Sequence, residues 1–131
     1  MNKLNSFPKS EHLCGEIRIA RLFNQGQAFI AYPMRVVFLI DTSSKLKEPV
    51  SVMVSVPKKR FKHAVNRNRL KRLMREAYRL NKHCLVEKIE EKQIQIHIAF
   101  NYISNDELDF ISIEKKMKVA LNKIIELIAE K

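Results

Sequence analysis

The apolar residues change period at Pro57, and few architectures accommodate that change. Upstream, residues 50–56 read VSVMVSV and alternate strictly. Val50, Val52, Val54 and Val56 face one way, and Ser51, Met53 and Ser55 the other. Downstream, Leu70, Leu73, Met74 and Ala77 recur at i, i+3, i+4 and i+7, the stripe of an amphipathic helix. A strand that ends at proline and feeds a long helix calls for a sheet with that helix packed on it. One face of the strand is therefore core. The other is small and mildly polar, and solvent is its default expectation, with a binding surface as the alternative.

The rest of the chain fits this frame. Between Gly15 and Asn24, EIRIARLF has helical spacing, and Gly26 stands where a C-cap glycine belongs. Residues 28–41, AFIAYPMRVVFLID, are rich in β-branched and aromatic residues and read as strand. Pro33 removes a ladder donor there, which calls for an edge, a bulge or a turn between two short strands. The basic helix runs from about Ala64 to at least Cys84, with Leu85–Glu91 open as a continuation. Residues 94–100, IQIHIAF, alternate again. Residues 112–129 form a last helix with the stripe Ile113, Met117, Ala120, Leu121, Ile124, Ile125 and Ile128. Residues 1–10 are expected to be extended or mobile, and 42–49 a loop. With no repeat, low-complexity tract or Gly/Ser linker, residues 1–131 read as one α+β domain. Its sheet should have three or four strands.

Charge narrows the function. The formal net charge is +11, and residues 58–82 hold eleven of the 25 Lys/Arg against one of the 14 Asp/Glu. So concentrated a block points to a polyanionic partner. Several classes drop out. With only Gly15 and Gly26, neither a G-x-G-x-x-G nor a P-loop can be written. Cys14 and Cys84 form no C-x-x-C, and His12, His63, His83 and His97 form no H-x-x-x-H, so zinc spacings are absent. Lys3 and Lys9 are followed by no apolar h-region, so no signal peptide is expected. The longest uncharged runs, Leu22–Met34 and Gln93–Asn105, are too short and polar to span a membrane. Two cysteines without a pairing pattern suit a reducing cytoplasm.

Projected on a helical wheel, Leu70, Leu73, Met74, Ala77, Leu80 and Cys84 share one arc. Asn68, Lys71, Arg72, Arg75, Arg79 and Lys82 share the opposite one, which should look outward. An ordinary solvated face mixes signs, because like charges at i,i+4 repel. Here Glu76 is the only acid between Glu48 and Glu87. Membrane helices need exposed large apolar residues, yet this apolar arc is needed for the core, and Trp is absent. Arginine forks phosphate and stacks on bases, so nucleic acid fits better. Asn68 could contact a base or ribose, or brace its own helix. A strand and Pro57, rather than a second helix, precede this helix, which argues against helix-turn-helix DNA binding and tilts the choice to RNA.

Residues 56–79, VPKKRFKHAVNRNRLKRLMREAYR, resemble the RNR motif of the bacterial ribonuclease P protein component. The core A-V-x-R-N-R-x-K-R-x-x-R-E-A is long and specific. The early helix ending Leu22-Phe23 before Gly26 is similar to that family's first helix, and the order of elements, αβββαβα-like, is the family's too. The resemblance implies a left-handed βαβ crossover, against the general rule. It implies the protein subunit of a ribozyme that removes the 5′ leader of precursor tRNA, with catalysis carried by the RNA subunit. Magnesium would be bound mainly through that RNA. The implied partners are the catalytic RNA subunit and precursor tRNA, with no membrane and no obligate protein partner, in the cytoplasm. Arg67, Asn68, Arg69, Lys71, Arg72 and Arg75 match the motif, and Lys59 and Arg60 match its upstream basic pair. Lys62 and Arg79 complete the expected RNA-binding set. Lys62 itself stands where many members carry glycine. The implied leader cleft lies between the first helix and the sheet: Phe23 matches a cleft aromatic, and Arg35 and Val37 lie near the cleft strand.

Other candidates read as structural. Glu87, Glu90 and Glu91 offset the basic helix, and Asp106, Glu107 and Asp109 precede a helix, where acids favour the N-terminal dipole. Phe29, Phe38 and His97 read as core, and Cys14 near His12 has no identifiable catalytic partner. The competing function is a structural RNA-binding protein of ribosome or RNA assembly; a protein-only nuclease is a third.

Overall fold

The computed structural model describes residues 16–41 and 50–129. Residues 1–10, Cys14 and the 42–49 loop lie outside them, as do the side chains of residues 16–20. The elements in order are α1 (Glu16–Gln25), β1 (Gln27–Ala31), β2 (Met34–Asp41), β3 (Val50–Ser55), α2 (Ala64–Asn81), α3 (His83–Lys92), β4 (Gln95–Tyr102) and α4 (Phe110–Ala129). Four strands form one mixed sheet in the order β1-β2-β4-β3. β1, β2 and β4 pair antiparallel, and β3 lies parallel to β4. A parallel pair needs a long crossover, and α2 and α3 supply it.

Pro33 resolves as the turn: Ala31 pairs with Met34 across the two-residue connection Tyr32-Pro33, whose peptide is cis. Gly26 follows α1 and donates to the Leu22 carbonyl (2.8 Å), but space is the reason for glycine. An added Cβ would lie 2.4 Å from Leu22 O and 2.8 Å from Phe38 O. The basic helix does not run through to Cys84: it ends at Asn81, and α3 starts at His83, with Lys82 alone between them. α3 closes on Gln93, which takes the left-handed conformation (φ 54°) and donates to Glu90 and Ile89 carbonyls.

Alternation sorts each strand onto two faces. Met34, Val36 and Phe38 of β2, Val50, Val52 and Val54 of β3, and Ile96, Ile98, Phe100 and Tyr102 of β4 join the main core. Leu70, Met74, Ala77 and Tyr78 of α2, Leu85 and Ile89 of α3, and Ile113, Met117, Ala120, Leu121, Ile124 and Ile128 of α4 cover them. The predicted stripe of α4 is thus the buried one, with Ile125 packed at its margin. α2 is rotated from its expected setting. Tyr78 is fully buried, tilted against Phe100 with centroids 6.2 Å apart, whereas Leu80 is 37% exposed and Cys84 is an exposed free thiol. The helix packs on both the sheet and α4, which pulls its buried side toward Tyr78. Lys82, expected outward, is buried at the junction of α2 and α3.

Among the described residues, the opposite face carries a smaller cluster. Leu22 of α1 packs on Val37 and Ala99, with Leu39 and Met53 at the margin. Ser51 is buried and Met53 and Ser55 half-buried, so this side of β3 is not simply solvated.

Candidate nucleic-acid interface

Two regions hold the predicted residues: the basic loop with α2, and the α1 side of the sheet. The loop, residues 57–63, is built before it is charged. Pro57 O accepts from Arg60 N (3.2 Å) and Phe61 N (3.4 Å), which turns the chain. Phe61 is buried and meets Tyr102 edge-on, centroids 5.8 Å apart. Tyr102 organises the neighbouring loop, residues 103–109: its hydroxyl donates to Asp106 O and accepts from Leu108 N (3.1 Å). Burial pushes the Tyr102 phenol above its ordinary pKa, so it stays a donor. Ser104 Oγ accepts from Tyr32 Oη and Asp106 N, each at 3.0 Å. Asp109 Oδ1 accepts from Ser112 N (2.9 Å) and caps α4, the role expected of that acidic turn. The Ser112 hydrogen bonds hold the Asp109 carboxyl below its ordinary pKa.

The cations divide by what they touch. Arg60 Nη1 donates to Asn105 Oδ1 (2.8 Å), and Arg69 stands 3.8 Å from Glu107, tying the basic loop and α2 to the 103–109 loop. Arg67 turns back: its Nη1 donates to the carbonyls of Phe61 (2.8 Å) and Lys62 (2.9 Å). Arg79 pairs with Glu76 through both carboxylate oxygens, and its hydrogen bond holds Glu76 below the ordinary carboxylate range. Lys59, Lys62, Asn68, Arg72 and Arg75 are exposed, Lys71 is half-buried, and none of these side chains makes an ion pair or hydrogen bond among the described residues. Asn68 is therefore not spent on bracing its own helix. Lys58, just ahead of the predicted set, is exposed as well.

On the other side, Phe23 is 41% exposed and Arg35 is exposed, but Val37 is closed beneath Leu22 and forms the floor. Cross-strand pairing sets Ile30, Arg35, Asn101 and Ser55 in one row across all four strands. Ser55 Oγ donates to Asn101 Oδ1, and Ile30 is 66% exposed. Ile30 and Asn101 are additions to the sequence-predicted set, whereas for the Ser55 face the sequence predicts solvent, with a binding surface as the alternative. Alternation alone could have put Ser55 and Asn101 on this face, but not side by side, because the pairing of β3 with β4 spans the whole crossover. Ser55 lies two residues before Pro57, so the row runs straight into the basic loop. Phe29 and Phe38 pack edge-on, centroids 6.2 Å apart, and His97 is buried, as expected.

Among the described residues, no group of three or more His, Cys, Asp or Glu could hold a metal ion. Nor is any helix among them long and apolar enough to cross a membrane.

The chain is similar to known proteins in sequence and in fold. A Porphyromonas gingivalis ribonuclease P protein component is 46% identical over 116 residues, covering 88% of this chain and 84% of its own. A relative of the same description from Chlorobaculum tepidum is 37% identical over 109 residues, covering 76% and 69%. Among solved structures, a Staphylococcus aureus RNase P protein mutant with defective mRNA degradation activity superposes with a TM-score of 0.70. It shares 18% identity and covers 88% of this chain and 89% of its own, a likeness of fold. The family model described as Ribonuclease P matches residues 7–125, and the chain belongs to that family, part of an endoribonuclease complex that processes tRNA 5′ ends.

Proposed function

We infer that this chain is the protein subunit of ribonuclease P, docking on the catalytic RNA through loop 57–63 and α2. One observation carries the reading: Lys59, Lys62, Arg72 and Arg75 stand exposed with side chains unpaired among the described residues, while Leu70, Met74, Ala77 and Tyr78 of α2 are buried in the core. Cations with no internal partner repel one another, and RNA phosphates relieve that repulsion. The row Ile30–Arg35–Asn101–Ser55, with Phe23 beside it, receives the single-stranded leader: Arg35 meets phosphate, and Ile30 and Phe23 offer surfaces for bases. The protein supplies binding and orientation, and lowers repulsion between RNA subunit and substrate. Magnesium and the bond-breaking chemistry belong to the RNA, and the complex works in the cytoplasm.

Reconstitution tests this. The purified chain alone should leave precursor tRNA intact. Added to the Porphyromonas gingivalis RNA subunit, it should restore cleavage at a magnesium concentration where that RNA alone is inactive. Binding without such assistance would instead favour a structural RNA-binding protein, and cleavage without RNA a protein nuclease.

A further inference from the structure

Arg67 belongs to the cationic run by sequence and to the loop by geometry. Residues 58–63 pack Lys58, Lys59, Arg60 and Lys62 into six positions. Such a segment repels itself and tends to extend. Three contacts oppose that. Phe61 is seated on Tyr102, Arg60 reaches Asn105, and Arg67 reaches back across the helix start to two carbonyls. Those carbonyls, of Phe61 and Lys62, precede the first residue of α2 and lie outside its hydrogen-bond ladder. His63, at the N-cap, makes no side-chain capping bond, so the helix start has no local brace of its own.

We propose that Arg67 is a positioning residue: its guanidinium holds loop 57–63 in the shape that presents Lys58, Lys59 and Lys62 to RNA, and it is not itself a phosphate contact. The inference rests on the RNA-docking reading above. A planar guanidinium suits this place because one nitrogen can serve two carbonyls while the rest of the fork stays fixed. An ammonium has the charge without that fixed geometry.

The test is a substitution that conserves charge. As a direct phosphate contact, Arg67→Lys would lose the fork but keep the charge, so the salt dependence of binding to the RNA subunit would stay close to that of the parent and loop exchange would not change. Positioning instead predicts that Arg67→Lys binds about ten-fold more weakly, with a salt slope smaller by about one to two ions, because loop cations lose their places. Amides of residues 58–62 should also exchange faster in the free protein, and Lys59→Ala should lose less affinity in the Arg67→Lys background than alone. If the lysine variant unfolds, Arg67→Gln decides. It removes the charge but can still donate to one carbonyl, so positioning predicts a slope loss that tracks loop exchange. A direct contact predicts loss of about one ion with loop exchange unchanged. Parent-like salt slope and loop exchange in Arg67→Lys overturn the inference, whatever the affinity, while leaving RNA docking intact; a parent protein that does not bind the RNA subunit would sink the docking reading itself.

Discussion

The two faces of the sheet are made by the same strands and differ in almost everything else. Toward α2, α3 and α4, Val50, Val52, Ile96, Ile98, Phe100 and Met34 are 2% exposed or less. Toward α1, Leu22, Val37 and Ala99 form the one small cluster among the described residues, and the next row keeps Arg35 and Ile30 in water. Most of the apolar burial among the described residues therefore lies on one face. The other can carry a cation, an amide, a hydroxyl and exposed apolar groups without weakening the core. The same division runs through α2, with Met74 and Tyr78 on its inner side and Arg72 and Arg75 on its outer side.

The strongest way to break that contrast is to charge the inner side. Met74→Asp buries a carboxylate among apolar groups and should leave the domain unfolded, read as loss of a cooperative thermal transition. Leu73→Asp, one position away, is predicted from the helical wheel to do the same. Leu73 is only half-buried, so that variant should fold with reduced stability. Phe100→Ala comes next. Its ring is fully buried against Tyr78, and truncation should lower stability by about 3–5 kcal/mol in denaturant titration.

How far the sequence discloses this arrangement depends on the range of the interaction. Val50–Val56 and the α4 stripe are readable because burial there follows a local period. Tyr78 is not: it sits beside the basic arc on the wheel, and only contact with α4 and the sheet together draws it inward. Lys82 is hidden for a related reason, since its burial needs the break between α2 and α3. The basic site is legible as residue types, but not as geometry. Lys59, Arg60, Arg67, Arg69 and Arg79 look alike as cations, and only the fold separates Lys59, whose side chain has no partner among the described residues, from Arg67, which donates to two loop carbonyls.

On the open face and the outer side of α2, effects should fall on binding rather than folding. Arg72→Ala should leave stability within about 0.5 kcal/mol of the parent and reduce the salt slope for RNA by about one ion. Arg35→Glu should weaken precursor tRNA more than tRNA without a leader, and leave binding of the RNA subunit alone unchanged. Equal loss for both tRNAs would move the leader off this face.

The smallest effect sharpens the contrast within the basic surface itself. Glu76 is the one acid in the block, and Arg79 holds its pKa below the ordinary value. A lowered folded pKa means the pair stabilises the protein fully above the unfolded carboxylate value. That contribution fades as pH falls through the lower, folded one. The pair is partly exposed, so the stability change is small. Binding reports it better. At neutral pH, Glu76 cancels one cation that RNA could otherwise use, and Glu76→Gln returns Arg79 to the surface. The variant should bind RNA slightly more tightly than the parent, with a salt slope raised by less than one ion. Acidification through the Glu76 pKa should strengthen the parent toward the variant and leave the variant itself unaffected by this group. No gain in Glu76→Gln would place Arg79 outside the docking surface, whose outer limit on α2 would then be Arg75.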